Sequence, residues 1–258
     1  MPHPLSLRSS NRPLPLLGAV AAGAAVVGWA AGALRERRRA ARTHRTLVEL
    51  LLNALSAGDA ETERHSRRVA DLTDSLAAAL GMKRRERAML RVAALLHDMG
   101  KINDRFFDIV HSRDPLSQEQ RAEIEQHPYE SAHILAPLEK LHPGILRAVA
   151  SHHEWWNGNG YPDGREEHEI PLAARAIALA DVFDALTQPR SYRDPLSVDE
   201  AIAKLDEDAG TKFDPQLVRL VESPRVRREW ERIARRGLAA EREARAASVE
   251  ERSEKSEE

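Results

Sequence analysis

The apolar stripe Leu90, Ala93, Ala94 continues at helical spacing onto an imidazole, His97, and the next residue is a carboxylate, Asp98. A second apolar run, Ala174 to Leu186, carries Asp181 in its middle. A carboxylate in so apolar a helix costs free energy unless it is paired or bound to a metal. Whatever this chain folds into must therefore supply partners for polar groups set in its core. An imidazole nitrogen beside a carboxylate oxygen suits a divalent first-row metal. A His-Asp dipeptide alone arises often by chance. Here Glu61, His65, His127, His152, His153 and Asp181 recur around it.

The surroundings are helical. Leu72, Leu76, Ala79 and Leu80 share one face, and helical periodicity persists from about residue 59 to about Val221. Ser117 to Gln120 and Ser197 to Glu200 read as capping boxes. Pro128, Pro143, Pro171 and Pro215 each stand where a first helical turn can begin. No alternating apolar run suggests a strand. The clear loop is Trp156 to Glu169, crowded with Gly, Asn, Pro and charge. The fold class is all-α. From about Gly237 the tail is mostly Ala, Arg, Glu and Ser, a solvated or disordered segment without evident chemistry.

With 258 residues the chain has room for one sizeable domain plus appendages. It contains no cysteine, which excludes disulfides, thiolate metal sites and cysteine nucleophiles. Any metal must be held by nitrogen and oxygen. The net charge of -2 gives no mark of a DNA-binding protein.

The N-terminus differs in kind. Leu14 to Leu34 carries no charge and supplies the roughly 20 apolar residues that a bilayer-spanning helix needs. Arg8 and Arg12 precede it, whereas Arg35, Arg37, Arg38, Arg39, Arg42 and Arg45 follow. The positive-inside rule then puts the remainder in the cytoplasm, anchored to the inner membrane by one helix. A cleaved signal peptide is the rival, since Ala30 to Ala33 offers small residues, but dense Arg directly after the span argues against export. The expected organisation is a short segment at 1–13, a transmembrane helix at 14–34, a basic juxtamembrane helix at 35–55, a helical domain at 56–222, and a charged tail at 223–258.

Taken one at a time, the candidate residues have bland alternatives. Glu61 and His65 share a helix face, yet both suit a charged surface. Lys101, four residues beyond His97, is placed to meet a phosphate or simply water. His152 and His153 are consecutive, and neighbours on a helix point about 100° apart. They can serve one ion only if the helix end is distorted. His127-Pro128 is a ligand ahead of a helix or an ordinary surface N-terminus. Asp181 pairs with a metal or with a cation such as Arg175, and Asp184, three residues on, can support it. Of 11 His, five occupy these positions, and the other six have no matching context.

Assembled, these residues resemble the HD-GYP family, a branch of the HD superfamily of metal-dependent phosphohydrolases. The matching stretches are His65 to Val69, Leu95 to Ile102, His127-Pro128, His152 to Gly164, Ile170 to Arg175, Ala180 to Thr187 and Phe213 to Pro215. The Gly160-Tyr161-Pro162 signature marks the branch.

The resemblance implies an all-helical HD bundle with two or three divalent ions, iron or manganese, with zinc also compatible. It implies metal ligation by His65, His97, Asp98, His127, His152, His153 and Asp181, with Asp98 bridging, and by Glu61 where a third ion is held. Lys101, Arg190 and Arg193 fall where the family contacts substrate phosphate or guanine, and Tyr161 and Pro162 lie in the signature loop beside the site. Asp98 and Lys101 take the catalytic positions. The implied activity is hydrolysis of cyclic di-GMP to the linear dinucleotide or GMP. A homodimer and a diguanylate cyclase or other signalling partner complete the expectation. The alternatives are hydrolysis of another cyclic dinucleotide or nucleotide, and a cyclic di-GMP receptor without turnover. Three departures bear on loop shape: Arg165 stands where Leu usually follows the loop glycine, Glu167 replaces a frequent Gly, and Ser191 replaces the Pro usual before Tyr192. The segment Asp104 to Pro115 is also unusual.

Overall fold

The computed structural model describes residues 32, 34–36, 39, 42–43, 46–56, 60–102, 106, 109, 115–189 and 193–257. The chain divides into two units, Met1–Leu50 and Leu51–Glu258. In the first, every described residue is helical. The expected span at 14–34 falls outside the described residues apart from Gly32 and Leu34. Among the described residues, no helix is long and apolar enough to cross a membrane. Arg190 also lies outside them.

The second unit is built from helices, and no strand occurs among its described residues. In chain order they are α1 (Ala60–Ala79), α2 (Arg84–Leu96), α3 (Gln118–Ile124), α4 (His127–Leu135), α5 (Ile145–Ala150), α6 (Leu172–Thr187), α7 (Val198–Glu207), α8 (Pro215–Glu222) and α9 (Pro224–Glu257). Short 3-10 turns at Met99–Ile102, Ala136–Leu138 and Glu167–Glu169 join some of them.

The boundaries follow local chemistry. At α3 the Ser117 hydroxyl accepts the Gln120 N–H at 3.2 Å and the Gln120 amide oxygen accepts the Ser117 N–H at 2.9 Å. Ser197 and Glu200 repeat the arrangement at α7. Pro128 and Pro215 occupy the first turns of α4 and α8, where a missing N–H costs nothing. Two prolines behave differently from expectation. Pro171 is the extended residue before α6, and Pro143 precedes Gly144, whose φ of 92° starts α5. That left-handed backbone needs a glycine.

Helix α1 is the hub, packing against α2, α6 and α9. Its buried Val69, Leu72 and Leu76 meet a core that includes Leu90, Leu96, Ile177 and Phe183. Helix α4 lies against α5 and the Met99–Ile102 turn. That approach is close: a Cβ on Gly100 would stand 2.4 Å from the His127 carbonyl oxygen.

The boundary expected at residue 222 is not a break. Trp230, Ile233 and Ala234 of α9 are buried, the Trp230 ring lies 4.5 Å from that of Phe183, and its N–H donates to Ser75 Oγ at 2.8 Å. Losing such a ring would cost about 3–5 kcal/mol. Much of the charge in the described part of this helix, such as Arg225, Arg228, Arg232, Arg235 and Arg236, is exposed, whereas Glu241 is buried.

Candidate metal centre

Five elements deliver side chains to one place. Helix α1 contributes His65, the C-terminal end of α2 contributes His97 and Asp98, and the start of α4 contributes His127. The turn after α5 contributes His152 and His153, and the middle of α6 contributes Asp181. Because α5 ends at Ala150, the consecutive imidazoles stand in turn geometry and are freed from the angular spacing of a helix.

Two donor groups result. Asp98, His127, His152 and His153 place ligand atoms within 4.8 Å of one another, and so do His65, His97 and Asp98. Asp98 belongs to both. His97, His152 and His127 are almost wholly buried, and Asp98 is 5% exposed.

The imidazoles are preset as ligands. His97, His127 and His152 each donate Nδ1–H to the carbonyl three residues earlier, on Ala94, Ile124 and Val149, at 2.8, 2.6 and 2.6 Å. A carbonyl can only accept, so a proton sits on each Nδ1 and each ring turns its Nε2 inward. His127 Nε2 and His152 Nε2 face each other across 3.3 Å. Two lone pairs at that distance repel unless a cation lies beside them. His97 Nε2 and Asp98 Oδ1 are buried without a hydrogen-bond partner. Asp98 Oδ1 does lie 3.2 Å from His127 Nε2, but no proton lies between the two atoms in the favoured tautomer. Buried polar groups are rarely left so, and a bound metal is one of the standard reasons. The donor set fits divalent ions with nitrogen and oxygen preference.

Electrostatics agree with the geometry. Burial, with the charges of His153, His97 and His127, holds His152 well below its ordinary value. Burial and the charges of His127 and Lys101 push His153 down to about 3. Burial and Lys101 also lower His127. These rings are neutral near pH 7, as ligation requires. Burial opposes ionisation of Asp98, yet His97, Lys101 and His127 hold its carboxyl well below the usual range.

His65 is held differently. Its Nε2 faces Asp181 Oδ1 at 3.2 Å, and its Nδ1 meets Asp184 Oδ2 at 2.8 Å. Burial alone would lower its pKa, but the hydrogen bonds to these two carboxylates raise it to about 9. Asp184 is gripped by Arg68 at 2.7 and 3.0 Å. The alternative partner considered for Asp181 is spoken for, since Arg175 pairs with Asp214 at 2.5 Å.

Glu61 is not brought into this centre. It is exposed in the first turn of α1 and outside both donor groups.

The HD domain family profile matches residues 49–217. The chain belongs to the HD domain family. The resemblance to its HD-GYP branch holds. Relatives include a 3'3'-cGAMP-specific phosphodiesterase 2 of Vibrio cholerae, 36% identical over 182 residues, covering 69% of this chain and 34% of the relative. Another is a cyclic di-GMP phosphodiesterase of Thermotoga maritima, 35% identical over 175 residues, covering 65% of this chain and 46% of the relative. The chain thus spans about a third to a half of the length of these relatives. A crystal structure of a cyclic GMP-AMP specific phosphodiesterase of V. cholerae shares the fold, with a TM-score of 0.54 and 24% identity, covering 74% of this chain and 52% of that one.

Beside the HD centre, Lys101 Nζ lies 2.7 Å from Asp98 Oδ2, so this cation is engaged with the shared carboxylate. The signature loop folds back onto His153. The Tyr161 N–H donates to the His153 carbonyl at 3.2 Å, and the two rings stack with centroids 4.8 Å apart. Gly160 makes this approach feasible, because a Cβ there would lie 2.2 Å from the Trp155 nitrogen. The Tyr161–Pro162 peptide is cis. Burial, followed by Asp98, Glu125 and Asp181, pushes the Tyr161 phenol upward, so it stays protonated.

Sequence reasoning passed over several supporting residues. Buried Glu154 accepts the backbone N–H groups of Asp163 and Arg165 at 2.8 and 3.1 Å and so ties down the loop. Tyr129 donates to Asp163, which also accepts from Arg165 at 3.0 Å. The signal for Glu154 was the His-His-Glu triplet. Tyr129 carried none. Exposed Arg193 donates to the Ala185 carbonyl at 2.6 Å, near the end of α6.

Proposed function

We propose that this chain is a metal-dependent phosphodiesterase acting on cyclic di-GMP, anchored to the cytoplasmic membrane by residues 14–34. The observation that carries the reading is one buried carboxylate, Asp98, shared by two groups of imidazoles, with Asp98 Oδ1 and His97 Nε2 buried without a hydrogen-bond partner. Divalent ions bound there would lower the pKa of water toward roughly 7 and offset charge on a phosphoryl group.

The chain's own residues account for the rest. His97, His127 and His152 turn their Nε2 atoms toward the site because backbone carbonyls hold their Nδ1–H groups. Lys101, 2.7 Å from Asp98, adds positive charge at the edge of the site, where a phosphodiester oxygen would arrive. Tyr161 keeps its phenolic proton and can therefore donate to substrate but not act as a base. No covalent protein nucleophile is needed, in keeping with a chain free of cysteine.

A second reading has a specific observation behind it. The V. cholerae relative named for 3'3'-cGAMP is as similar to this chain as the T. maritima relative named for cyclic di-GMP. Arg165 and Glu167 also alter the loop beside the site. The test is turnover by the full chain loaded anaerobically with Mn²⁺ or Fe²⁺, with each cyclic dinucleotide offered separately. Hydrolysis of cyclic di-GMP at the higher kcat/KM supports the first reading. A higher kcat/KM for 3'3'-cGAMP supports the second, and binding without product would make the protein a receptor. Recovery of the protein in an alkali-washed membrane pellet tests the anchor.

A further inference from the structure

The ligand histidines are steadied in two ways. Three of them lean on backbone carbonyls, which helix geometry provides at no further expense. His65 leans instead on a side-chain carboxylate, Asp184, and that carboxylate is the first link in a buried chain of charges. Arg68 donates to both Asp184 oxygens, at 2.7 and 3.0 Å, and turns its third nitrogen to Glu241 at 3.3 Å. Glu241 also accepts two hydrogen bonds from Arg64, at 2.9 and 3.0 Å. Arg68 is 7% exposed and Glu241 6%. A guanidinium so buried needs carboxylates on more than one side to satisfy its fixed fork of donors.

Glu241 lies on α9, beyond the residues 49–217 matched by the family. What brings it within reach is a second feature of the same helix. A Cβ on Gly237 would stand 2.6 Å from Gln188 Oε1 and 2.7 Å from Arg68 Cδ. The missing side chain lets α9 settle onto Arg68, and Glu241 follows one turn later. Gln188 donates to the Ala234 carbonyl at 3.3 Å and fixes the same stretch from the side of α6.

We infer that Glu241 is a positioning residue for the metal site at His65, acting through Arg68 and Asp184 to hold the imidazole in its ligating orientation. This rests on the reading of the His–Asp cluster as a metal centre. With Glu241 neutral, Arg68 keeps Asp184 as its main buried counter-charge and is free to shift its fork. Asp184 then no longer fixes His65 Nδ1 along one direction. Outer partners of this kind typically change metal affinity by about 10–100-fold when removed. In the other group His127 and His152 have their own backbone supports, and Asp98 is held by Lys101, so that group should not respond.

The experiment is a Mn²⁺ titration of metal-free full-length protein, with free Mn²⁺ read by electron paramagnetic resonance. The variants are Glu241→Gln, Glu241→Asp and Arg236→Ala. Arg236 of α9 pairs with Asp71 of α1, so its loss removes an ion pair from the same helix contact without touching the line to His65. The expected result is two Mn²⁺ in the wild type, and in Glu241→Gln one site weakened about 10–100-fold with the other unchanged. Glu241→Asp, which keeps the charge on a shorter arm, should weaken the same site less, and it decides the matter if the Gln variant does not fold. Arg236→Ala should bind as the wild type does. Wild-type affinity at both sites in the Glu241 variants overturns the inference, and so does equal weakening in Arg236→Ala, which would reduce Glu241 to a helix clamp. Failure of the wild type to bind Mn²⁺ would instead remove the metal-centre reading itself.

Discussion

Asp98 is the residue on which the centre turns, because it alone belongs to both donor groups. Asp98→Asn keeps the shape but removes the charge that the neighbouring imidazoles and any cation need. Metal analysis of that variant should show both ions lost, whereas His65→Ala should lose one and keep the other. Retention of full metal by Asp98→Asn would disprove its bridging role. The two groups also differ in protons. At pH 7 the metal-free protein carries His65 protonated, since its pKa is raised to about 9, while His153, pushed down to about 3, is neutral. A ligand must shed its proton to bind. Filling the His65 site at pH 7 should therefore release about one proton per chain, and filling the other almost none. Calorimetry in buffers of different ionisation enthalpy measures this directly, and the release should vanish in His65→Ala.

At the scale of elements, the signature loop is where rigidity and sequence departures meet. Gly160 has no room for a methyl group, with the His153 carbonyl 2.5 Å from where its Cβ would stand. Gly160→Ala should push Tyr161 off His153 and cost about 10²-fold in turnover through misplacement of the site edge, with metal content near that of the wild type. Unchanged turnover would mean that the stack is ornamental. Glu167 follows the loop at φ 47°, a left-handed backbone that side chains resist by roughly 1–2 kcal/mol. Here the sequence departs from the Gly frequent in the family. Glu167→Gly should raise the thermal midpoint above that of Glu167→Val, which adds branching at a strained position. The reverse order would show that the backbone at residue 167 is not held in the left-handed region.

The whole molecule shows which parts of such a centre a sequence can reveal. His97 and Asp181 were legible because each interrupts an apolar helical stripe, and His152-His153 because the pair abuts a Gly-rich loop. The helix ends at Ser117 and Ser197 were legible from short-range capping. Glu241 was not. Its partner Arg68 lies 173 residues away, and a tail of Ala, Arg, Glu and Ser reads as solvated because no local period distinguishes its buried face. Glu61 stands outside both donor groups, since spacing along a helix says which face two residues share but not that the face turns inward. Closing these histidines and carboxylates into one interior also gives the metal-free protein a defined pH optimum of stability. His127, His152 and His153 are held below their ordinary value of 6.5, so between that value and about 3 the unfolded chain binds more protons, and stability falls as pH falls. Asp98, Asp181 and Asp184 have lowered pKa values too, so they add to the loss once pH drops below 3.8. His65 acts in the opposite direction: raised from 6.5 to about 9, it binds its proton in the folded state first, and its contribution is lost as pH climbs through that window. Stability of the metal-free protein should therefore peak near pH 6.5 and decline on both sides, as followed by urea melts across pH. Saturating Mn²⁺ should remove the alkaline decline, because a metal ligand at His65 replaces the proton, and should steepen the acid one. A metal-free protein whose stability keeps rising from pH 6.5 to 9 would contradict the paired state of His65 with Asp181 and Asp184.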